Sequence, residues 1–243
     1  MVEPYNRTQL RALQSVLDQR WPKLPREEAE KWLRRYKDAR SPYSRVRVHA
    51  ISCQLDAIVS LSLHLVLRRS EVFRLTVNEV HPDNAGVVVR PDRESWQGAR
   101  MVPWTSPAYD AVDQWIRCRA FLGADDEQRP WLNLHAAPTA HLPMTIHTFH
   151  RVLTTYLGPE WSFSRLRATG AVAWSRVGLG PERLRELLGL RRIEDVLPYT
   201  QFAVTGSLER NMSRLNGPFL HLVQPGGGWS NRLPDGSRAY QYA

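Results

Sequence analysis

Lysine is nearly missing from this chain: it occurs at positions 23, 31 and 37 and nowhere after Lys37. Nearly every cation is therefore an arginine, which grips phosphate through a planar fork and gives up its proton reluctantly. Cysteine is as scarce. Cys53 and Cys118 lack metal-type spacing, so neither a zinc site nor a disulfide is implied. Cys53 falls in an apolar helical pattern that suits a small buried hydrophobe. No apolar run reaches about eighteen residues, which argues against a membrane-spanning helix. The opening MVEPYNRTQL has neither the basic nor the apolar block of a secretory signal. These absences make a cytoplasmic, nucleoid-associated location the expectation, or a nuclear one in a eukaryote.

What is present suits a folded protein with a polyanionic partner. The chain has 243 residues, 42% of them hydrophobic, and nine tryptophans, enough for a substantial core. Its 33 basic residues outnumber 24 acidic ones, giving a formal charge of +9. Nucleic acid is the leading partner class and a membrane surface the second. Arginine richness by itself carries less weight, because a GC-rich genome produces it too.

Apolar spacing predicts helices over residues 6–20, with Asn6 or Thr8 as cap, over the charged segment 26–38, and over 46–67, the best buried helix in the chain. "GVVVRPDRESWQGARMVPW" then carries two β-branched segments around a polar turn with Gly98, a hairpin pattern. Helices follow at 106–122, with Pro107 at the start and Gly123 at the end, and at 145–158. Residues 123–143 read as a loop or short strand. Another helix begins near 163. "PERLRELLG" has Pro181 in its first turn and Gly189 as its stop. In "RRIEDVLPYTQFAV", Asp195 can cap a helix whose first turn tolerates Pro198. The fold class expected is mainly α with a small antiparallel β-sheet (α+β). The Gly- and Pro-rich end reads as a tail.

One segment raises a question of chemistry. "FSRLRATGAVAWSRVGLG", residues 163–180, places Arg165 and Arg167 near the positively polarised end of a helix, where the dipole disfavours cations. An anion bound there would resolve the conflict.

Three blocks in order resemble the catalytic domain of tyrosine recombinases, the phage integrase family. "LRRSEVFRL" at 67–75 resembles the family's L-R-x-S-E-L block and puts its first catalytic arginine on Arg68. "SRLRATGAVAWSRVG" at 164–178 is similar to the H-x-L-R-H-T…G block and puts the second on Arg167. "LLGLRRIEDVLPYT" at 187–200 resembles L-L-G-H…Y-T and puts the nucleophile on Tyr199. "GARMVPW" looks like the end of the family's catalytic hairpin. The resemblance spans roughly residues 5–203. It implies cleavage and rejoining of double-stranded DNA through a 3′-phosphotyrosine, with no cofactor and no metal. It also implies self-association on DNA, with a partner recombinase possible as well.

The departures bear on activity. Ser164 stands at the second block's histidine, Ala168 follows Arg167, Leu190 replaces the third block's histidine or tryptophan, and the hairpin lysine is missing. The anion clamp is retained while the proton-transfer groups are lost, which predicts a slow enzyme or an inactive DNA-binding relative. Arg93 or Arg100 of the hairpin could stabilise the leaving oxygen, and Glu71 is expected to order neighbouring arginines through a buried pair.

Other residues have plainer readings. Ser164 suits a helix N-cap. Arg69 and Arg74 face solvent or a DNA backbone, Arg165 does not face the phosphate, Leu190 is core, and the tryptophans are core rather than a stacking platform. His147 and His150 have a metal-compatible spacing but no acidic or cysteine partner nearby. The expected organisation is a catalytic domain over 1–203, without the family's N-terminal domain. Residues 204–243 form an extension, and "FLHLVQ" at 219–224 is a candidate protomer-docking strand.

Overall fold

A computed structural model describes residues 3–20, 27, 45–90, 98–122, 124, 128–134, 143–156, 158 and 161–205. The expected helix over 26–38 apart from Glu27, Arg93 in the hairpin turn, Gly123, and everything beyond 205 lie outside these residues.

The described chain runs α1 (Arg7–Arg20), α2 (Arg45–Leu63), α3 (Arg69–Arg74), β1 (Gly86–Val89), β2 (Arg100–Pro103) and α4 (Ser106–Phe121). It continues through α5 (Ile146–Tyr156), α6 (Phe163–Arg176), α7 (Pro181–Leu188) and α8 (Leu197–Thr205). It is mainly helical, with a two-stranded antiparallel sheet in which Gly86 pairs with Pro103 and Val89 with Arg100. Among the described residues no helix is long and apolar enough to cross a membrane.

The helix α2 is apolar on nearly all sides, as a central helix must be. Leu55, Ile58 and Leu61 are almost completely buried, and the helix packs on α4 and α6. The buried amide of Gln54 accepts from Leu132 N–H at 2.7 Å and donates to Leu132 O at 3.1 Å, tying a loop to the helix. Cys53 is buried against His49, with its Sγ 3.4 Å from Nε2. A hydrogen bond that the Cys53 thiol donates to Cys118, together with burial, pushes that thiol well above the ordinary value. Trp115, Trp131 and Trp161 are core.

The central helix stops at Leu63, short of the predicted end at 67. There α6 crosses so closely that a Cβ on Gly170 would sit 1.8 Å from Leu63 O. The chain turns instead, with Val66 at φ 50 and Leu67 N–H donating to Leu61 O at 3.2 Å. Leu65, Val66 and Leu67 stay buried through the turn, and apolar periodicity does not distinguish a buried turn from a buried helix. The turn delivers Arg68 to the head of α3. A second apolar cluster joins Val66, Ala171, Leu184, Leu188 and Val196, with Leu190 and Tyr199 packed on its edge.

Candidate functional site

Glu71, in the first turn of α3, is the centre of a buried charge cluster. Its Oε2 accepts the Arg68 N–H at 2.7 Å, closing the helix start. Arg100, the first residue of β2, places Nη2 2.9 Å from Glu71 Oε1 as an ion pair, without the alignment of a hydrogen bond. Arg167, in the second turn of α6, places Nη1 3.8 Å from Oε2. Side chains of Arg100 and Arg167 are each 10% exposed, and that of Glu71 is 1% exposed.

The same three arginines also meet three consecutive carbonyls at the C-terminal end of α7. Arg100 Nε donates to Leu187 O at 3.3 Å, Arg167 Nη2 to Leu188 O at 2.5 Å, and Arg68 Nη2 to Gly189 O at 3.4 Å. A helix C-terminus carries partial negative charge and unsatisfied carbonyls, so it is a natural cation holder. Gly189 ends α7 in the left-handed region at φ 59, and a Cβ there would lie 2.8 Å from Arg100 Nη1. The left-handed conformation favours glycine, and any side chain there would displace the Arg100 guanidinium.

Three guanidiniums against one carboxylate leave positive charge in excess. Nη1 of Arg100 and Nη1 of Arg167 make no hydrogen bond among the described residues. Burial holds Arg167 down to about 10, helped by Arg68 and Arg100 and opposed by Glu71 and by Tyr199. The tyrosine thus shares the electrostatic neighbourhood of the cluster. It is half-buried, in the first turn of α8, which packs along α6. Buried donors that make no hydrogen bond, beside more cations than carboxylates, are features suited to an anion.

Of the residues singled out in the sequence, Arg68, Glu71, Arg100 and Arg167 come together, and Tyr199 acts on the charge of Arg167 from α8. Arg93 lies outside the described residues. The N-cap of α6 is Ser162, not Ser164: Ser162 Oγ accepts the Arg165 N–H at 3.3 Å, and Ser164 is an exposed residue inside the helix. Asp195 does not occupy the cap of α8 either, because the helix begins at Leu197 and Val196 O accepts the Tyr199 N–H at 2.9 Å. Arg69 and Arg74 are exposed, and Arg165 turns away to Glu3 O at 3.0 Å. Leu190 is half-buried against the second apolar cluster. His147 is exposed, and among the described residues no three His, Cys, Asp or Glu side chains group as metal ligands. The three carbonyls were missed from sequence. Their only trace is "LLG" at a helix stop.

The chain matches no protein-family model and no curated protein. Its fold is similar to the crystal structure of XerA recombinase, with a TM-score of 0.51 and 19% identity, over 80% of this chain and 66% of that one. A Tn1549 transposon integrase, solved in complex with transposon right end DNA, aligns with a TM-score of 0.49 and 22% identity over 81% of this chain and 67% of that one. The chain thus spans about two thirds of the length of the recombinase it resembles, and its fold is that of a tyrosine recombinase catalytic domain.

Proposed function

We propose that this recombinase-like chain breaks and rejoins double-stranded DNA, with Arg68, Arg100 and Arg167 holding the scissile phosphate and Tyr199 attacking it. The observation that carries the reading is the buried cluster: three arginines fixed by Glu71 and the α7 carbonyls, two of them with an Nη1 that makes no hydrogen bond among the described residues. Donors fixed in advance and aimed at developing charge are the strongest source of stabilisation for such a step.

In this reading the Tyr199 oxygen bonds to phosphorus as the bond to the 5′-oxygen breaks, leaving a 3′-phosphotyrosine. A 5′-hydroxyl from another strand reverses the step. The non-bridging oxygens gain negative charge in the transition state, and the arginine forks meet it with charge-assisted hydrogen bonds. Arg167 stays protonated at neutral pH even with its value lowered to about 10. The phenolic proton passes to water as the oxygen attacks. Residues 1–203 act as the catalytic unit in this proposal. Residues 204–243 form an extension to a neighbouring copy, and a DNA-associated location follows.

The leaving 5′-oxygen is served poorly. Leu190 is apolar, Ser164 is a hydroxyl on the surface, and no lysine follows Lys37. A positioned acid contributes about 10²- to 10⁴-fold, so water as proton donor makes the first cleavage slow. That same deficit favours a second reading, a DNA-binding regulator that keeps the phosphate grip without the chemistry.

A pool of duplexes randomised around a nick, so that the short 5′ fragment diffuses away after cleavage, separates the two. A covalent adduct that disappears in Tyr199→Phe supports the enzyme. Retention of DNA with no adduct from any member of the pool overturns cleavage and leaves the regulator. Loss of neither DNA nor adduct in Arg167→Ala would contradict the phosphate clamp itself.

A further inference from the structure

We propose that residues 3–9 form a clasp that positions Arg167, with Tyr5 as its central residue; this rests on the phosphate-clamp reading and extends it. The segment lies against one face of α6, the helix that carries Arg167, and engages it and the residues leading into it through hydrogen bonds, a cation–π contact and a ring contact. Tyr5 N–H donates to Thr169 Oγ1 at 2.8 Å, and that hydroxyl donates on to Arg165 O at 2.7 Å. The Tyr5 hydroxyl accepts the Ser162 N–H at 2.8 Å, just where α6 begins. The Arg165 guanidinium lies 3.9 Å over the Tyr5 ring and donates to Glu3 O and to Gln9 Oε1. The Tyr5 ring also packs on Trp161 at 4.5 Å between centroids.

Gln9 links the clasp to α1. Its Oε1 accepts the Asn6 N–H at 2.9 Å while its own N–H donates to Asn6 Oδ1 at 3.0 Å, so the partner of the α1 cap also holds Arg165.

Residues 162, 165 and 169 recur at three and four, which sets them on one face of α6. Arg167 follows Arg165 by two positions, about 200° around the helix, and meets Glu71 on the far side. The clasp and the charge cluster therefore grip opposite faces of the same two turns. The first turn of a helix frays most readily, and its orientation sets where the Arg167 fork points. A displacement of about 1 Å in a reacting group costs on the order of 100-fold, so the clasp acts on the site through Arg167 without touching DNA.

The test uses the whole chain and an arbitrary 30-base-pair duplex, with two readouts. The first is the slope of log binding constant against log salt, whose magnitude falls by about 0.9 for each phosphate that the protein ceases to neutralise. The second is the guanidinium NMR signal of Arg167 in the free protein, identified by its disappearance in Arg167→Ala. Tyr5→Ala should shift or broaden that signal and lower the slope, and the Tyr5→Ala/Arg167→Ala pair should show no fall in slope beyond that of Arg167→Ala alone. Tyr5→Phe, which keeps the ring over Arg165 and removes the hydroxyl, should fall between. Should Tyr5→Ala fail to fold, Arg165→Met and Tyr5→Phe carry the same comparison.

An unchanged Arg167 signal in Tyr5→Ala overturns the clasp. Additive falls in slope in the pair overturn it as well. An Arg167→Ala variant with an undiminished slope overturns the phosphate-clamp reading instead, and the NMR signal still decides whether the clasp sets the position of Arg167.

Discussion

Glu71 and Glu79 are built alike and end differently. Each carboxylate accepts the N–H three residues earlier at 2.7 Å, from Arg68 and from Thr76. Each is buried, and each pairs with an arginine of the hairpin, Glu71 with Arg100 and Glu79 with Arg90. The partners differ: the Arg100 side chain is 10% exposed, whereas that of Arg90 is 74% exposed. The Glu79 pair opens to solvent through Arg90. The Glu71 pair gains Arg167 and the α7 carbonyls, excludes water, and keeps an excess of positive charge. A local motif that caps a turn becomes a candidate anion site when buried cations are added around it.

The largest effect expected from breaking this contrast is Glu71→Ala, which leaves buried guanidiniums uncompensated. Removing one partner of a buried pair costs about 3–5 kcal/mol, against roughly 1–2 kcal/mol for Glu79→Ala, which removes a hydrogen bond and a pairing with a solvated partner. Denaturant melts of the two variants measure the gap, and equal losses would erase the distinction drawn between the two carboxylates. Next comes Gly189→Ala. A side chain in the left-handed region costs about 1–2 kcal/mol, and Arg100 has to move. DNA retention should fall more than it does in Gly178→Ala, where φ is 92 and a Cβ meets nothing within 4 Å. A similar fall in both would reduce Gly189 to a backbone requirement.

The pH dependence sharpens the comparison further. Arg167 binds fewer protons in the folded than in the unfolded chain between its lowered value, about 10, and its ordinary one. Folding stability therefore bears the cost of the buried charge below pH about 10, and this cost is relieved as pH rises. Anion affinity has the opposite sign, since the cation is lost. Retention of a short duplex should stay level to about pH 9 and fall as pH passes through about 10, with Arg167→Ala removing that step. The smallest effect is Arg90→Ala, about 1 kcal/mol or less in a denaturant melt.

How legible was this in the sequence? Apolar spacing located the described helices apart from α3, and three short blocks named Arg68, Arg167 and Tyr199, while the hairpin offered Arg100 beside Arg93, because those features are local. The caps were misplaced where a distant residue decides them. Ser162 and Ser164 are equally suitable caps by type, and the helix starts where Tyr5, 157 positions away, receives Ser162 N–H. The end of α2 is likewise set by the crossing of α6 at Gly170. Glu71 was legible as a partner of arginines, while the oxygens that share its task carry no letter of their own.

Those oxygens have a consequence for how this chain can change over time. Leu187, Leu188 and Gly189 offer the arginines their main-chain carbonyls, which no side-chain replacement removes. Drift at positions 187 and 188 can alter packing and leave the anchorage in place. What must be inherited is the shape of a helix ending, and the constraint on identity gathers at one position, the glycine that lets the helix stop there.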